Sequence, residues 1–424
     1  MTFHVILSLV VFLAVYAAIT TEIVNKTAAA LLGAMLMVLF GVLDQKTAYA
    51  EVDWNVIFLL IGMMIIMGIT KRTGVFQYIA IRVAKFARGE PIAILVLLSV
   101  VTALVSAFLD NVTTVLIIVP ITILIAVELG VAPAPFVITL AMASNVGGTA
   151  TLIGDPPNIM IGSAANLDFM DFLVNLSPAI LIMLLIFCGM VALFFKKQLV
   201  VTNERKARIM NFDESKAIED PALLIKSVTV LGLVVVAFLF HGAVNLEPST
   251  IALTGAVILI VISGHKEVEE LFAELEWTTI FFFLGLFMVV GALVEVGVMS
   301  SVSTWLIGIT NGHLRLTQFV ILWVSGILSA VVDNIPFVAT MIPLIQDMGA
   351  QLGADAIKPL WWALSLGACL GGNGTLIGAS ANVVSAGLSA KSGHPISFWD
   401  FTKYGAIFTL MTLVVSSLYM FVRF

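Results

Sequence analysis

The chain has 424 residues, 61% of them hydrophobic and only 11% charged, and its mean hydropathy is +1.13. That balance excludes a nucleic-acid binder, a disulfide scaffold and a porin-type barrel, and the net charge of −6 carries topology information more than a field for partners. The apolar residues fall into about twelve runs with short polar breaks, the pattern of an all-α polytopic membrane protein whose segments satisfy their own backbone groups.

In chain order, the first run, Val5 to Ala18, lacks the basic flank of a signal peptide and is read as a retained span. Spans are expected over residues 3–19, 27–43 and 54–70, followed by an apolar stretch interrupted at its centre (92–127), an interrupted span (134–165) and a closing span (172–195). Residues 199–223 form the long polar stretch of the chain, a cytoplasmic linker between a first unit (1–198) and a second (224–424). The second unit repeats the order: 224–241, 249–263 and 277–294, then an interrupted stretch (316–346), an interrupted span (360–390) and a last span (402–422).

The two units align at an offset of 223 residues. Trp54, Gly62, Gly68 and Gly74 fall on Trp277, Gly285, Gly291 and Gly297, and Asp110-Asn111 falls on Asp333-Asn334. With one residue of slippage, the segment from Asn145 to Asn158 matches that from Cys369 to Asn382, with seven of fourteen positions identical. Each doubled stretch returns to the side it left, whether as a re-entrant hairpin or as two crossings. Each unit therefore crosses an odd number of times, and the two are inverted repeats. Basic residues test this, because cytoplasmic segments carry the positive excess. With both termini outside, 16 of the 20 lysines and arginines fall inside, Lys26 and Lys266 among them, and Lys46, Arg315, Lys358 and Arg423 fall outside. The reading is a multi-pass protein of the cytoplasmic membrane.

Inverted repeats with discontinuous helices near the midplane are the sequence signature of secondary transporters, in which broken helices offer unpaired backbone groups and half-dipoles to a solute. A carboxylate at bilayer depth costs roughly 2.5–3.5 kcal/mol. Asp110 and Asp333 are therefore the foremost candidates for coupling a proton or cation, although each also suits a helix cap. Asp155 precedes Pro156-Pro157 as a helix start would, and its counterpart is Ala379, so its share in coupling belongs to one repeat only. Candidate solute-lining residues are Asn111, Thr113, Thr114, Asn145, Gly147, Gly148, Thr149, Thr151 and Asn158 in the first repeat. Their companions are Asn334, Gly371, Gly372, Asn373, Thr375, Ser380 and Asn382 in the second.

Absences narrow the chemistry. The five histidines, His265 included, sit at or beyond segment ends, and the two cysteines, Cys188 and Cys369, cannot build a thiolate site, so no metal or cofactor is expected. No phosphate-binding loop appears, which leaves an ion gradient or the solute's own gradient as the driving force, and no enzyme constellation lies in the spans. No lysine or arginine is expected near the midplane, which disfavours a multiply charged anion and favours a cation or a small neutral solute.

At the quoted motifs, Ser106 to Thr114, Gly147 to Asn158, Asp333 to Phe337 and Gly371 to Asn382, the chain resembles the ArsB / NhaD / P-protein branch of the ion transporter superfamily, in wording nearest the P-protein type. The resemblance spans essentially the whole chain. It implies that superfamily's fold: about ten transmembrane helices plus two re-entrant hairpins in two inverted repeats, with the solute site between hairpin tips and helix breaks. It also implies a transport domain moving against a scaffold, often in a homodimer, and leaves room for an external ATPase partner. The function expected on these grounds is proton-coupled efflux of arsenite or antimonite by alternating access, with sodium/proton antiport as the alternative and a channel of the same fold as a third reading.

Overall fold

The computed structural model describes residues 3–21, 23–244, 246–264 and 268–424, so His265 and Lys266 lie outside the described residues. Nine principal helices in the first half are α1 (Phe3–Thr21), α2 (Lys26–Leu39), α3 (Trp54–Lys71), α4 (Val75–Phe86), α5 (Pro91–Ser106), α6 (Asn111–Leu129), α7 (Ala134–Gly148), α8 (Pro156–Ala165) and α9 (Ser177–Phe195). Their counterparts follow in the same order as α10 (Pro221–Val244), α11 (Pro248–Ser263), α12 (Trp277–Glu295), α13 (Val298–Ile309), α14 (Leu314–Ser329), α15 (Asn334–Leu352), α16 (Lys358–Gly371), α17 (Ser380–Lys391) and α18 (Phe398–Arg423). Among the described residues seven helices are long and apolar enough to cross a membrane, and six shorter apolar ones accompany them. Exposed apolar side chains such as Leu39, Leu193 and Val422 cover their outer surfaces, as lipid-facing helices require.

The hairpins and breaks arise from local chemistry. Asp110 caps α6 by accepting from the Thr113 N–H (2.9 Å), and Asp333 caps α15 by accepting from Ile335 N–H (3.1 Å), so each Asp-Asn pair ends one helix and starts the next. Between α7 and α8, and between α16 and α17, where Gly372–Gly374 forms a 3-10 turn, the chain leaves α-helical geometry, and the freed carbonyls are met by asparagine amides. Asn158 Nδ2 donates to the carbonyls of Thr149 (3.1 Å) and Thr151 (2.9 Å), while Asn382 Nδ2 donates to those of Gly372 (2.8 Å) and Thr375 (3.0 Å). The hydroxyls of Thr151 and Thr375 reach across to the carbonyls of Ala107 and Ala330, which pins each break to the tip of its own hairpin.

The two repeats interlock. α2 packs on α12 and α11 on α3, each the other's inverted copy. A Cβ on Gly62 would lie 2.6 Å from the backbone of Ala252, and one on Gly285 2.6 Å from that of Ala30. Bare backbone is what permits these close crossings in a bilayer. Within each repeat a second close crossing joins hairpin to broken helix, where a Cβ on Gly147 would lie 2.0 Å from the Ala103 carbonyl oxygen and one on Gly371 2.5 Å from that of Gly326. The result is a frame of α1–α3 and α10–α12 against a body of hairpins, broken helices, α9 and α18.

Two elements depart from the sequence reading. α4 and α13, 12 residues each, stand where only polar breaks are expected, and they join the frame to the hairpins at corresponding places in the two repeats. The linker also holds structure: Asn203–Met210 is helical and Glu214–Ala217 forms a 3-10 turn. Glu214 receives Lys85 Nζ (2.5 Å) and Arg82 (2.8 Å), and Glu219 N–H donates to the Thr73 carbonyl (3.1 Å), so the linker lies as a strap along α4.

Candidate functional site

The two breaks meet at the centre of the body through Asn145. Its amide donates to Asn373 Oδ1 (2.9 Å) and Asn382 Oδ1 (3.0 Å), and its Oδ1 accepts from Asn111 Nδ2 (2.9 Å). Asn111 Nδ2 also reaches Asp155 Oδ1 (3.2 Å), and Asn334 Nδ2 approaches both Asp155 oxygens (3.4 and 3.5 Å). Asp155, fully buried, thus receives an amide from each hairpin tip. Asp155 makes no side-chain bond at the start of α8, so the capping role that its sequence context suggests is not the one it plays.

A cavity of about 350 Å³ lies against this cluster, between frame and body. Asp110, Asn111 and Asp155 line it from the first repeat and Asn334 and Ser380 from the second, while the frame contributes Lys26, Glu276, Thr279 and Phe282. A neighbouring cavity of about 290 Å³ holds Asp333 and shares Lys26 and Ser380. The remaining sequence candidates sit behind this surface. Thr113 offers its backbone to Asp110, the Thr114 hydroxyl bonds the Asp110 carbonyl (2.9 Å), and that of Thr149 bonds the Asn145 carbonyl (2.7 Å). Thr151, Asn158, Thr375 and Asn382 brace the breaks, and Gly147, Gly148, Gly371 and Gly372 are buried in close helix contacts.

Lys26 and Glu276 were missed as site residues. The sequence places Lys26 in a link at the membrane edge; in the structure its Nζ lies 3.3 Å from Asp333 Oδ2 and 2.8 Å from Ser380 Oγ, above the Phe282 ring (5.3 Å to the centroid). The sequence reading expects no lysine or arginine near the midplane and so none beside the solute; the structure sets Lys26 against a hairpin-tip carboxylate. Asn25 caps α2 by accepting from Thr27 N–H (3.0 Å), and this turns the first residue of α2 toward the hairpin tip. The one sequence signal for such a role is that the link between the first two apolar runs is too short to carry the lysine far from them.

A third cavity, about 380 Å³, is lined by Asn55 at the start of α3, Ser163 near the end of α8 and Asp168 beyond it, His241 near the end of α10 and Ser249 at the start of α11. Lys26 starts α2 and Asn55 follows that helix's far end, so this cavity and the carboxylate cavity open at opposite ends of the frame. None of Asp110, Asp155 and Asp333 lines it.

The family model described as "Citrate transporter" matches residues 16–367. The chain belongs to the citrate transporter family. Within reach of that family, an uncharacterised transporter of Mycobacterium tuberculosis is 44% identical over 99% of this chain and 98% of its own length. The P protein of Sus scrofa is 33% identical over 99% of this chain, which spans 59% of that protein. Among solved structures, the YdaH transporter of Alcanivorax borkumensis superposes with a TM-score of 0.59 at 14% identity, covering 99% of this chain and 98% of its own. MtrF of Neisseria gonorrhoeae, described among antimetabolite efflux pumps, gives 0.58 at 12% identity over 100% and 95%. These two likenesses establish a shared fold, and with the family they make this chain a multi-pass membrane transporter.

Proposed function

We propose that the protein is a secondary active transporter of the cytoplasmic membrane, with both termini outside, in which Asp110, Asp155 and Asp333 take up the driving or transported cation. The observation that carries this reading is the charge balance of the central cavities: Asp110, Asp155, Glu276 and Asp333 converge there, and among the described residues Lys26 is the one basic group lining them. Surplus negative charge at bilayer depth attracts a cation and repels a polyanion. Exchange of an alkali cation such as sodium for protons fits it best. A tricarboxylate of the kind in the family's description would meet four carboxylates and a lysine already paired with one of them.

Proton-coupled efflux of arsenite or antimonite is the second reading, supported by Asn111, Asn334 and Ser380, which offer hydrogen bonds to a neutral trihydroxide without opposing charge. Collapse of a pH gradient in proteoliposomes tests both. Sodium or lithium, arsenite or antimonite, and citrate are added in turn to wild type and to Asp110→Asn. Collapse by alkali cation, lost in the variant, supports exchange; collapse by metalloid alone transfers the role to the second reading. Collapse by citrate alone overturns the charge argument, and unitary current steps would make the protein a channel.

A further inference from the structure

We propose that Lys26 is a tethered cation that displaces the transported ion from Asp333 at one membrane face; this rests on the cation reading above. The Lys26 ammonium occupies the place a bound cation would take, 3.3 Å from Asp333 Oδ2 and 2.8 Å from Ser380 Oγ, whose own hydroxyl donates to the same carboxylate oxygen (2.7 Å). Any ion resident on Asp333 in this arrangement shares its carboxylate with a charge held on the same molecule. Tethered groups act at effective concentrations in the millimolar range or above, so the competition is not diluted away by the solution.

The contact also bridges the two moving parts. Lys26 begins α2 of the frame, whereas Asp333 and Ser380 belong to the hairpin and broken helix of the body. A relative movement of frame and body makes or breaks it, so the displacing charge is present in one state and withdrawn in the other.

The repeat shows that only one face has this device. At the offset of 223 residues Lys26 aligns with Ser249 and Asp333 with Asp110. Ser249 donates to Asn55 Oδ1 (3.0 Å) and carries no charge to present to a carboxylate. In an inverted-repeat transporter, exchanging the conformations of the halves generates the opposite-facing state. That exchange would bring Ser249 toward Asp110 and take Lys26 from Asp333. Expulsion by a lysine therefore operates where the cavity opens beside the α1–α2 link and nowhere else in the cycle, and the other face releases its ion unaided.

The test compares wild type, Lys26→Gln and Lys26→Arg in proteoliposomes, titrating sodium and lithium separately on the two sides, with each substitution also combined with Asp333→Asn. The expected result is that Lys26→Gln lowers the half-saturating cation concentration at least threefold on one side only and lowers the maximal rate, because the ion now lingers on Asp333. Lys26→Arg keeps the displacing charge and holds half-saturation at or above the wild-type value. The Asp333→Asn backgrounds are read by equilibrium sodium binding to the purified protein, where Asp110 and Asp155 remain as ligands, and there Lys26→Gln no longer shifts half-saturation. An unchanged half-saturation in Lys26→Gln, a shift of equal size on both sides, or a shift that survives Asp333→Asn overturns the proposal while leaving cation transport standing. Should Lys26→Gln fail to fold, a fall in half-saturation in Lys26→Arg overturns it instead. Wild type that moves neither cation overturns the transport reading and this inference with it.

Discussion

At the scale of single residues, Asp155 separates structure from function more cleanly than the hairpin aspartates do. Asp110 and Asp333 each cap a helix as well as line a cavity, so removing either disturbs two things at once. Asp155 has no capping bond, and its partners are the Asn111 and Asn334 amides. Asp155→Asn retains an acceptor oxygen for those amides and is expected to fold with a thermal midpoint near wild type while losing cation-driven pH-gradient collapse. Asp155→Ala removes the acceptor and leaves buried donors unmet, at roughly 1–3 kcal/mol for a buried unsatisfied group, and its midpoint should fall. Wild-type coupling in Asp155→Asn would strike Asp155 from the site. The sequence made Asp110, Asp333 and the asparagines Asn111, Asn334, Asn158 and Asn382 visible because two copies of the motif stand in register, and Asp155 because it lies inside the first copy. Lys26 and Glu276 stayed hidden for the converse reason: neither is repeated, since Ser249 faces Lys26 in the alignment and Asp53 faces Glu276, and each reaches the site only through tertiary packing.

Elements show the same division. Long apolar runs are legible because a bilayer demands them, and helices occupy most of those runs in the structure. α4 and α13 were not, because 12 residues with a mixed surface resemble a connecting loop when hydropathy is averaged over a span. The strap on α4 was read as a plain linker because its order comes from ion pairs with distant residues, not from its own periodicity. Lys85 and Arg82, bound to Glu214, hold its carboxyl down at about 2, against an ordinary value of 4.5. A depressed folded-state value means the stabilisation is complete above about pH 4.5 and drains away as the pH falls toward about 2. Hydrogen-exchange protection of residues 214–219, referenced to the intrinsic rate at each pH, should therefore be constant from pH 7 to about pH 5 and drop below that. Glu214→Gln should start at the lower level and show no such drop. A drop of equal size in Glu214→Gln would assign it to another group.

For the molecule as a whole, the decisive feature is that chemically similar halves hold unlike surroundings. The carboxylates border cavities beside the α1–α2 link, while the cavity at the α10–α11 link, its counterpart by the repeat, reaches none of Asp110, Asp155 and Asp333. On the proposed reading of alternating access, this asymmetry belongs to one of two related arrangements of frame and body, and transport passes through the other. Two positions report on the pair. Val384 lines both cavities on the carboxylate side and Ser163 lines the opposite one. With the native Cys188 and Cys369 replaced by alanine, single cysteines at these positions should react with a membrane-impermeant thiol reagent from opposite sides of a sealed vesicle. Because one cavity closes as the other opens, any condition that shifts the equilibrium, such as saturating cation on one side, should speed one labelling rate and slow the other. Rates that rise and fall together would mean that both cavities breathe independently, and alternating access of the central carboxylates would have to be abandoned.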